Sequence, residues 1–346
     1  MVAPSRARRP RAVVFGCAAE RLHAAELSFF ADADPAGFIL FRRNCRAPDQ
    51  VRALVEALRG CVGRPDAPVL IDQEGGRVAR LRPPSWRLYP SAARIAALPG
   101  PAAAQAACLG ARLIADDLAR LAITVACLPV LDLPVAGADP VIGDRAYGTE
   151  PDRVAGLARA VCDGLFAGGV LPILKHVPGH GRARVDSHYA CPAVTVGHDE
   201  LSATDFAPFR ALAAMPWAMT AHIVYRAIDP TSPATLSHRI ISQIIRSEIG
   251  FDGVLISDDL SMRALGGSLG ERARQALDAG CDLALHCNGD LDEMAEIAAA
   301  AGPLSEMAAT RLARGEEMRT AARGDAVDFD RAAAEHRFDA LLAEMS

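Results

Sequence analysis

Residues 179–192, GHGRARVDSHYACP, are too rich in glycine and charge for a core element, yet they carry His180, Asp186 and His188. A histidine, with an unperturbed pKa of about 6.5, can both give and take a proton near neutrality. It needs a carboxylate to fix its tautomer and to stabilise its charged form. Asp186 and His188 stand two residues apart, so in an extended loop both side chains point to the same side. That makes them an acid/base dyad on a mobile arm. A second reactive candidate ends the apolar run GVLISDD (253–259). Asp258, rigidly held at a strand end, suits nucleophilic attack; Asp259 is either the alternative nucleophile or a structural partner of a nearby loop. Retaining glycosidases usually pair their nucleophile with a second carboxylic acid. Here the histidine dyad can take that second place.

Other chemistries fit less well. His176 and His222 suggest a metal-dependent hydrolase on a barrel, but the first apolar run ends in Gly16-Cys17 with no His-x-His. His176 and His180 have i,i+4 spacing, yet Pro178-Gly179 lies between them and prevents one helix from presenting both. A Ser nucleophile elbow is absent, and the cysteines have no activating neighbours in sequence. The expectation is therefore a site without metal or organic cofactor.

The elements that must position these residues follow from eight short apolar runs: 12–17, 37–41, 69–73, 124–132, 170–176, 217–224, 253–259 and 281–287. Each is continuous rather than alternating, as expected of parallel strands buried on both faces. Amphipathic stretches separate them. Asp49 is placed to cap a helix carrying Val51, Leu54, Val55 and Leu58, with Gly60 beyond its end; Val154, Leu157, Val161 and Leu165 precede Gly168-Gly169; Ile241, Ile244, Ile245 and Ile249 follow a Ser237 cap. From Leu304 the tail reads as two further helices joined near RGDAVDFD. Eight βα units predict a (β/α)8 barrel. The rival, a doubly wound open sheet, lacks both a G-x-G-x-x-G after the first run and a P-loop. One domain spans 1–346, with 1–11 a short basic tail. In a barrel, active groups gather at the carboxyl ends of strands. Asp72-Gln73-Glu74, Asp132, Lys175-His176, His222, Asp258-Asp259 and His286 all fall there.

Net charge −5, aromatics at 5% and the lack of a basic–aromatic cluster exclude a nucleic-acid or membrane-surface role. The remaining partner is a small-molecule substrate, and a monomer is expected. Nine scattered cysteines, odd in number and without a C-x-x-C, fit free thiols in a reducing cytoplasm. RRPRAVVFGCAAE faintly imitates an export signal, but its apolar part is short and charge follows at once, so it reads as the first core strand. No run approaches the ~18–20 apolar residues of a membrane span.

The motifs IDQEGGRVARLR, PVIGDRAYG, LKHVPGHGRARVDSH, MTAHIVY, PATLS and GFDGVLISDDLSM resemble, in this order, those of family 3 glycoside hydrolases. The likeness runs from about residue 13 to 320 and is strongest to the single-domain bacterial β-N-acetylglucosaminidases (β-hexosaminidases) of peptidoglycan recycling. It implies a (β/α)8 barrel, Asp258 as nucleophile, and His188 as acid/base assisted by Asp186. It also implies sugar-binding roles for Asp72, Arg80, Arg145, Lys175 and His176; a plain ion pair with Glu74 is the structural alternative for Arg80. The implied reaction is retaining, exo-acting removal of GlcNAc from GlcNAc-1,6-anhydro-MurNAc, with or without peptide. Phosphate in place of water would make a phosphorylase, and loss of catalysis would leave a muropeptide-binding protein. Two departures stand out. Arg182-Ala183 replaces the usual Asp-Thr before the dyad, adding positive charge nearby, and Val177 replaces the usual Phe.

Overall fold

The computed structural model of the chain describes residues 9–323 and 329–343. Each of the eight apolar runs contributes one barrel strand. These are β1 (Arg11–Gly16), β2 (Pro35–Leu40), β3 (Val69–Ile71), β4 (Val125–Ala126), β5 (Leu171–Val177), β6 (Trp217–Thr220), β7 (Val254–Asp259) and β8 (Leu283–His286). They pair in sequence order, every neighbour parallel, and β8 returns to β1 to close the barrel. With helices around it, this is a (β/α)8 barrel.

The continuous hydrophobic runs are explained by two cores. Val14, Ile39, Leu70, Val125, Ile173 and Ile256 point inward and fill the barrel. Their neighbours Val13, Phe15, Phe38, Leu40, Val69, Ile71, Leu174 and Leu255 point outward against the helices. Both faces of each strand are dry, which leaves no place for the polar half of an alternating pattern. Leu304 and Ala308 join the inner core near the amino end of β1, where Leu304 N–H donates to Pro10 O. The tail helix Glu306–Arg323 thus covers the mouth opposite the strand carboxyl ends.

Several local readings shift. The helix at Pro48–Val62 starts one residue before Asp49, with Ala47 at its cap, and ends at Gly63 with φ +61°, not at Gly60. Asp49 lies instead in the first turn, where a carboxylate favours the helix dipole. Ser237 does cap its helix: its Oγ accepts the Ile240 N–H at 3.1 Å. The two tail helices are Glu306–Arg323 and Arg331–Ala343, and their joint lies largely outside the described residues. The basic segment also lies mostly outside them, but its last residue is no tail. Arg11 opens β1 and donates from Nη1 to Ala298 O at 2.8 Å and Ala301 O at 3.0 Å. All nine cysteines are free. No helix among the described residues is long and apolar enough to cross a membrane.

Candidate active site

The carboxyl end of β3 turns straight into a small antiparallel hairpin, Gln73–Gly75 with Val78–Ala79. Gln73 holds it closed, accepting the N–H groups of Arg80 and Leu81 at Oε1 and donating to Leu81 O. The hairpin brings Arg80 back over the strand end, where Nη2 donates to Asp72 Oδ2 at 2.8 Å. Arg80 also lies over the Phe41 ring, 5.1 Å from its centroid. Arg80 therefore pairs with Asp72 rather than Glu74, because the hairpin folds back onto the first residue after the strand. Glu74 is taken by Arg145, from the turn Gly143–Arg145, through two parallel bonds of 2.8 Å. Lys175, near the carboxyl end of β5, spans both carboxylates, with Nζ 2.9 Å from Asp72 Oδ1 and 2.6 Å from Glu74 Oε1.

Two carboxylates thus face three cations, all largely buried. Burial alone would raise the Asp72 and Glu74 pKa values, but Lys175 with Arg80, and Lys175 with Arg145, outweigh it and hold both below the usual carboxylate range. Burial works against the Lys175 and Arg145 charges too, and the same carboxylates more than compensate, so both cations are held more firmly than free ones.

A second buried network carries the histidines. Asp132, fully buried, accepts the backbone N–H groups of His176 and His180 at Oδ1 and lies 2.7 Å from His176 Nδ1 at Oδ2. Burial opposes its ionisation, but His176 and His180 hold its pKa down at about 2. His180 is itself driven down to about 4 by burial and by His176, and its Nε2 reaches Ser187 Oγ at 3.1 Å. Asp258, near the end of β7, is held below the normal range although burial opposes this; His176, His222 and the Asp259 N–H stabilise its charge. Asp259 is occupied elsewhere. It accepts Ser261 N–H, Ser261 Oγ–H and Cys287 N–H, tying the following loop to β8. His222 is also a support, its Nδ1 2.7 Å from Thr235 Oγ1 and its Nε2 3.0 Å from Asp259 O. The Thr of PATLS is that anchor.

The loop bearing the dyad begins at Gly179, whose carbonyl accepts from Tyr225 OH. A Cβ on Gly181 would lie 2.0 Å from Leu133 O, so only glycine lets the chain pass there. The loop ends where Ala193–Val194 pairs in parallel with Val224–Tyr225. Between these ties, Asp186 Oδ1 lies 2.7 Å from His188 Nδ1 and accepts the His188 N–H at 2.9 Å. The two side chains meet through a turn at 186–190, not through the extended segment their spacing suggests. An Asp accepting from the amide two residues on is a common turn former. With Asp186 on Nδ1, His188 Nε2 is the nitrogen left for a substrate. Arg182 points away from the dyad. It donates to Asp205 Oδ2 at 2.7 Å and Thr204 Oγ1 at 3.1 Å and pairs with Glu200 at 2.7 Å, so its charge is spent on anchoring the loop base.

One cavity of about 410 Å³ is lined by Asp72, Arg80, Arg145, Lys175, His176, Asp186, His188 and Asp258 together. All eight predicted site residues therefore meet, though they come from six places in the chain. Asp132, His180, His222 and His286 do not line it; the last pairs with Glu293 at 2.7 Å. Among the described residues no group of three or more His, Cys, Asp or Glu side chains is arranged to hold a metal ion.

The model of the glycosyl hydrolase family 3 N-terminal domain matches residues 12–314. The chain belongs to glycosyl hydrolase family 3. Within this family it is 40% identical over 283 residues to a β-hexosaminidase of Alkalilimnicola ehrlichii, covering 80% of each chain. It is 40% identical over 286 residues to one from Pseudomonas aeruginosa, covering 82% of this chain and 83% of the other. Among solved structures it is similar to NagZ from Neisseria gonorrhoeae in complex with N-trifluoroacetyl-D-glucosamine. That likeness has a TM-score of 0.85, 34% identity and coverage of 97% and 99% of the two chains. As a family 3 member the chain is a glycoside hydrolase.

Sequence reasoning placed Glu74 at the rim but gave it no role beyond a possible partner for Arg80. Its central place was legible only in part: in an extended segment Asp72 and Glu74, two residues apart, face the same side. Phe41, under Arg80 and Arg43, carried no signal beyond ending an apolar run.

Proposed function

We propose that this family 3 glycoside hydrolase is a retaining exo-β-N-acetylhexosaminidase that removes non-reducing GlcNAc from muropeptides, GlcNAc-1,6-anhydro-MurNAc with or without peptide, in cell-wall recycling. The observation that carries the reading is a single cavity shared by an ionised, strand-held Asp258 and a His188 whose Nδ1 is engaged by Asp186. The β-hexosaminidase relatives and the NagZ neighbour in complex with N-trifluoroacetyl-D-glucosamine support the sugar class.

In the first step an Asp258 oxygen bonds to the anomeric carbon as the glycosidic C–O bond breaks. His188 Nε2 delivers its proton to the departing oxygen, leaving a glycosyl ester and the free aglycone. Asp186 fixes the tautomer and steadies the imidazolium. In the second step neutral His188 takes a proton from water, which attacks the same carbon and frees Asp258 and GlcNAc with retained configuration. Asp72, Arg80, Arg145, Lys175 and His176 bind the sugar, the carboxylate accepting from hydroxyl groups and the cations donating. The whole of 1–346 acts as one catalytic domain, as a cytoplasmic monomer.

The test is turnover of synthetic β-GlcNAc and β-glucose substrates side by side, with products analysed in water and in phosphate buffer. Preferential release of GlcNAc with retained configuration is expected. GlcNAc 1-phosphate as the main product would mark a phosphorylase; binding without turnover would mark a sensor.

A further inference from the structure

Tyr189 follows His188 at the tip of the loop and leaves 74% of its surface exposed, more than any other large hydrophobic or aromatic side chain among the described residues. Among those residues its hydroxyl makes no hydrogen bond and its ring stacks on no other. An aromatic ring in this state is normally buried or partnered, since it carries a large apolar surface. This one borders the same cavity as Asp72, His188 and Asp258.

Its place relative to the chemistry narrows what it meets. In the reaction proposed above, the sugar undergoing attack lies between Asp258 and the Asp72–Lys175 cluster, which line one cavity. The leaving oxygen sits at His188 Nε2, on the loop. On that reading, whatever is attached to the oxygen continues past His188 toward solvent, and Tyr189, the next residue, is both exposed and part of the cavity lining. A pyranose presents a face of C–H groups, and an aromatic face is electronegative, so the two fit by stacking while the ring edge stays wet.

We propose that Tyr189 is a specificity-determining residue, a stacking platform for a ring-shaped aglycone such as a second pyranose. This rests on the glycosidase reading above. The platform acts only while the aglycone is present, that is, in binding and in formation of the glycosyl-enzyme. It plays no part in the hydrolysis of that intermediate.

The experiment compares kcat/KM for a β-linked GlcNAc disaccharide and for methyl β-GlcNAc. Both leaving groups are alcohols that depart only with protonation, but only one has a ring. Tyr189→Ala should reduce the preference for the disaccharide roughly tenfold, on the scale of one aromatic contact, and Tyr189→Phe should restore it. An unchanged preference in Tyr189→Ala overturns the platform, whether both rates stay the same or fall together as a disturbed loop would make them. Failure of Tyr189→Phe to restore it also overturns stacking as the cause. A wild-type protein inert on both glycosides would overturn the glycosidase reading, and the platform with it.

Discussion

Lys175 exposes 3% of its side chain and bridges two carboxylates; thirteen residues later His188 exposes 61% and touches one. The first belongs to a rim of strand ends where Asp72 and Glu74 are paired with Arg80, Arg145 and Lys175. The second belongs to a loop held at its base by Arg182 and Tyr225 and at its far end by a two-residue strand pair. The difference matches what each does in the proposed reaction. Groups that grip a sugar and carry a fixed charge gain from burial, because low dielectric strengthens paired charges and keeps their geometry. A group that receives a proton from water and gives it to a leaving oxygen must reach both, and full burial would suppress its charged form. On the proposed mechanism the site divides the work between a rigid rim and an accessible arm.

The sharpest break of that division is at the rim's proposed nucleophile. Asp258→Ala should cost turnover on the order of 10⁴-fold or more, while Asp259→Asn should chiefly lower stability by freeing the Ser261 and Cys287 contacts. Steady-state rates and thermal melts on both variants check this; a dead Asp259→Asn beside an active Asp258→Ala would move the nucleophile by one residue.

Lys175→Ala leaves Asp72 and Glu74 buried with two cations instead of three. Removing one partner of a buried charge cluster costs about 3–5 kcal/mol, and denaturant unfolding should register a loss of that size. A loss under about 1 kcal/mol would mean that the rim is far better hydrated than its geometry implies.

Acid should weaken the rim next. Asp132 is held at about 2 against an ordinary value of about 3.9, so the unfolded chain takes up its proton first as pH falls. Its contribution, about 2.6 kcal/mol, is complete above roughly pH 5 and is lost on the way down to about pH 1. Asp72, Glu74 and Asp258 are shifted in the same direction and steepen the fall. Asp132→Asn should be less stable at neutral pH and show a shallower acid limb in unfolding experiments; an equally steep limb would contradict the assignment.

The smallest effect belongs to the arm's anchor. Arg182→Ala should cost about 1 kcal/mol of stability and reduce turnover a few-fold, by loosening the loop without touching the dyad. A loss as deep as that of His188→Ala would show that Arg182 acts on the chemistry itself.

Most of the rim was legible from the chain. Continuous apolar runs fixed eight parallel strands, and polar residues at their carboxyl ends had only one side of a barrel to occupy. The partners were less legible. Arg80 lies six residues from Glu74 and eight from Asp72, and only the hairpin held by Gln73 decides that the more distant carboxylate wins. Arg145 comes from a turn and lies 71 residues from Glu74, and no local pattern connects the two. On the arm, the spacing of Asp186 and His188 predicted their contact, but for the wrong local geometry, since a turn and an extended segment can both bring such a pair together. Arg182 read as added charge near the dyad because its acceptors, Glu200, Thr204 and Asp205, lie beyond the loop's far end.

The account stands most directly on His188 carrying the proton from an exposed position. The decisive measurement is the rate of glycosyl-enzyme formation by His188→Ala on two β-GlcNAc substrates, one with a nitrophenolate leaving group and one with a sugar alcohol. A nitrophenolate needs little protonation, whereas the alcohol should lose about 10²–10⁴-fold, with Asp186→Ala following the same pattern more mildly. Equal losses on both substrates would contradict proton transfer by His188 and leave it a residue that only positions the sugar.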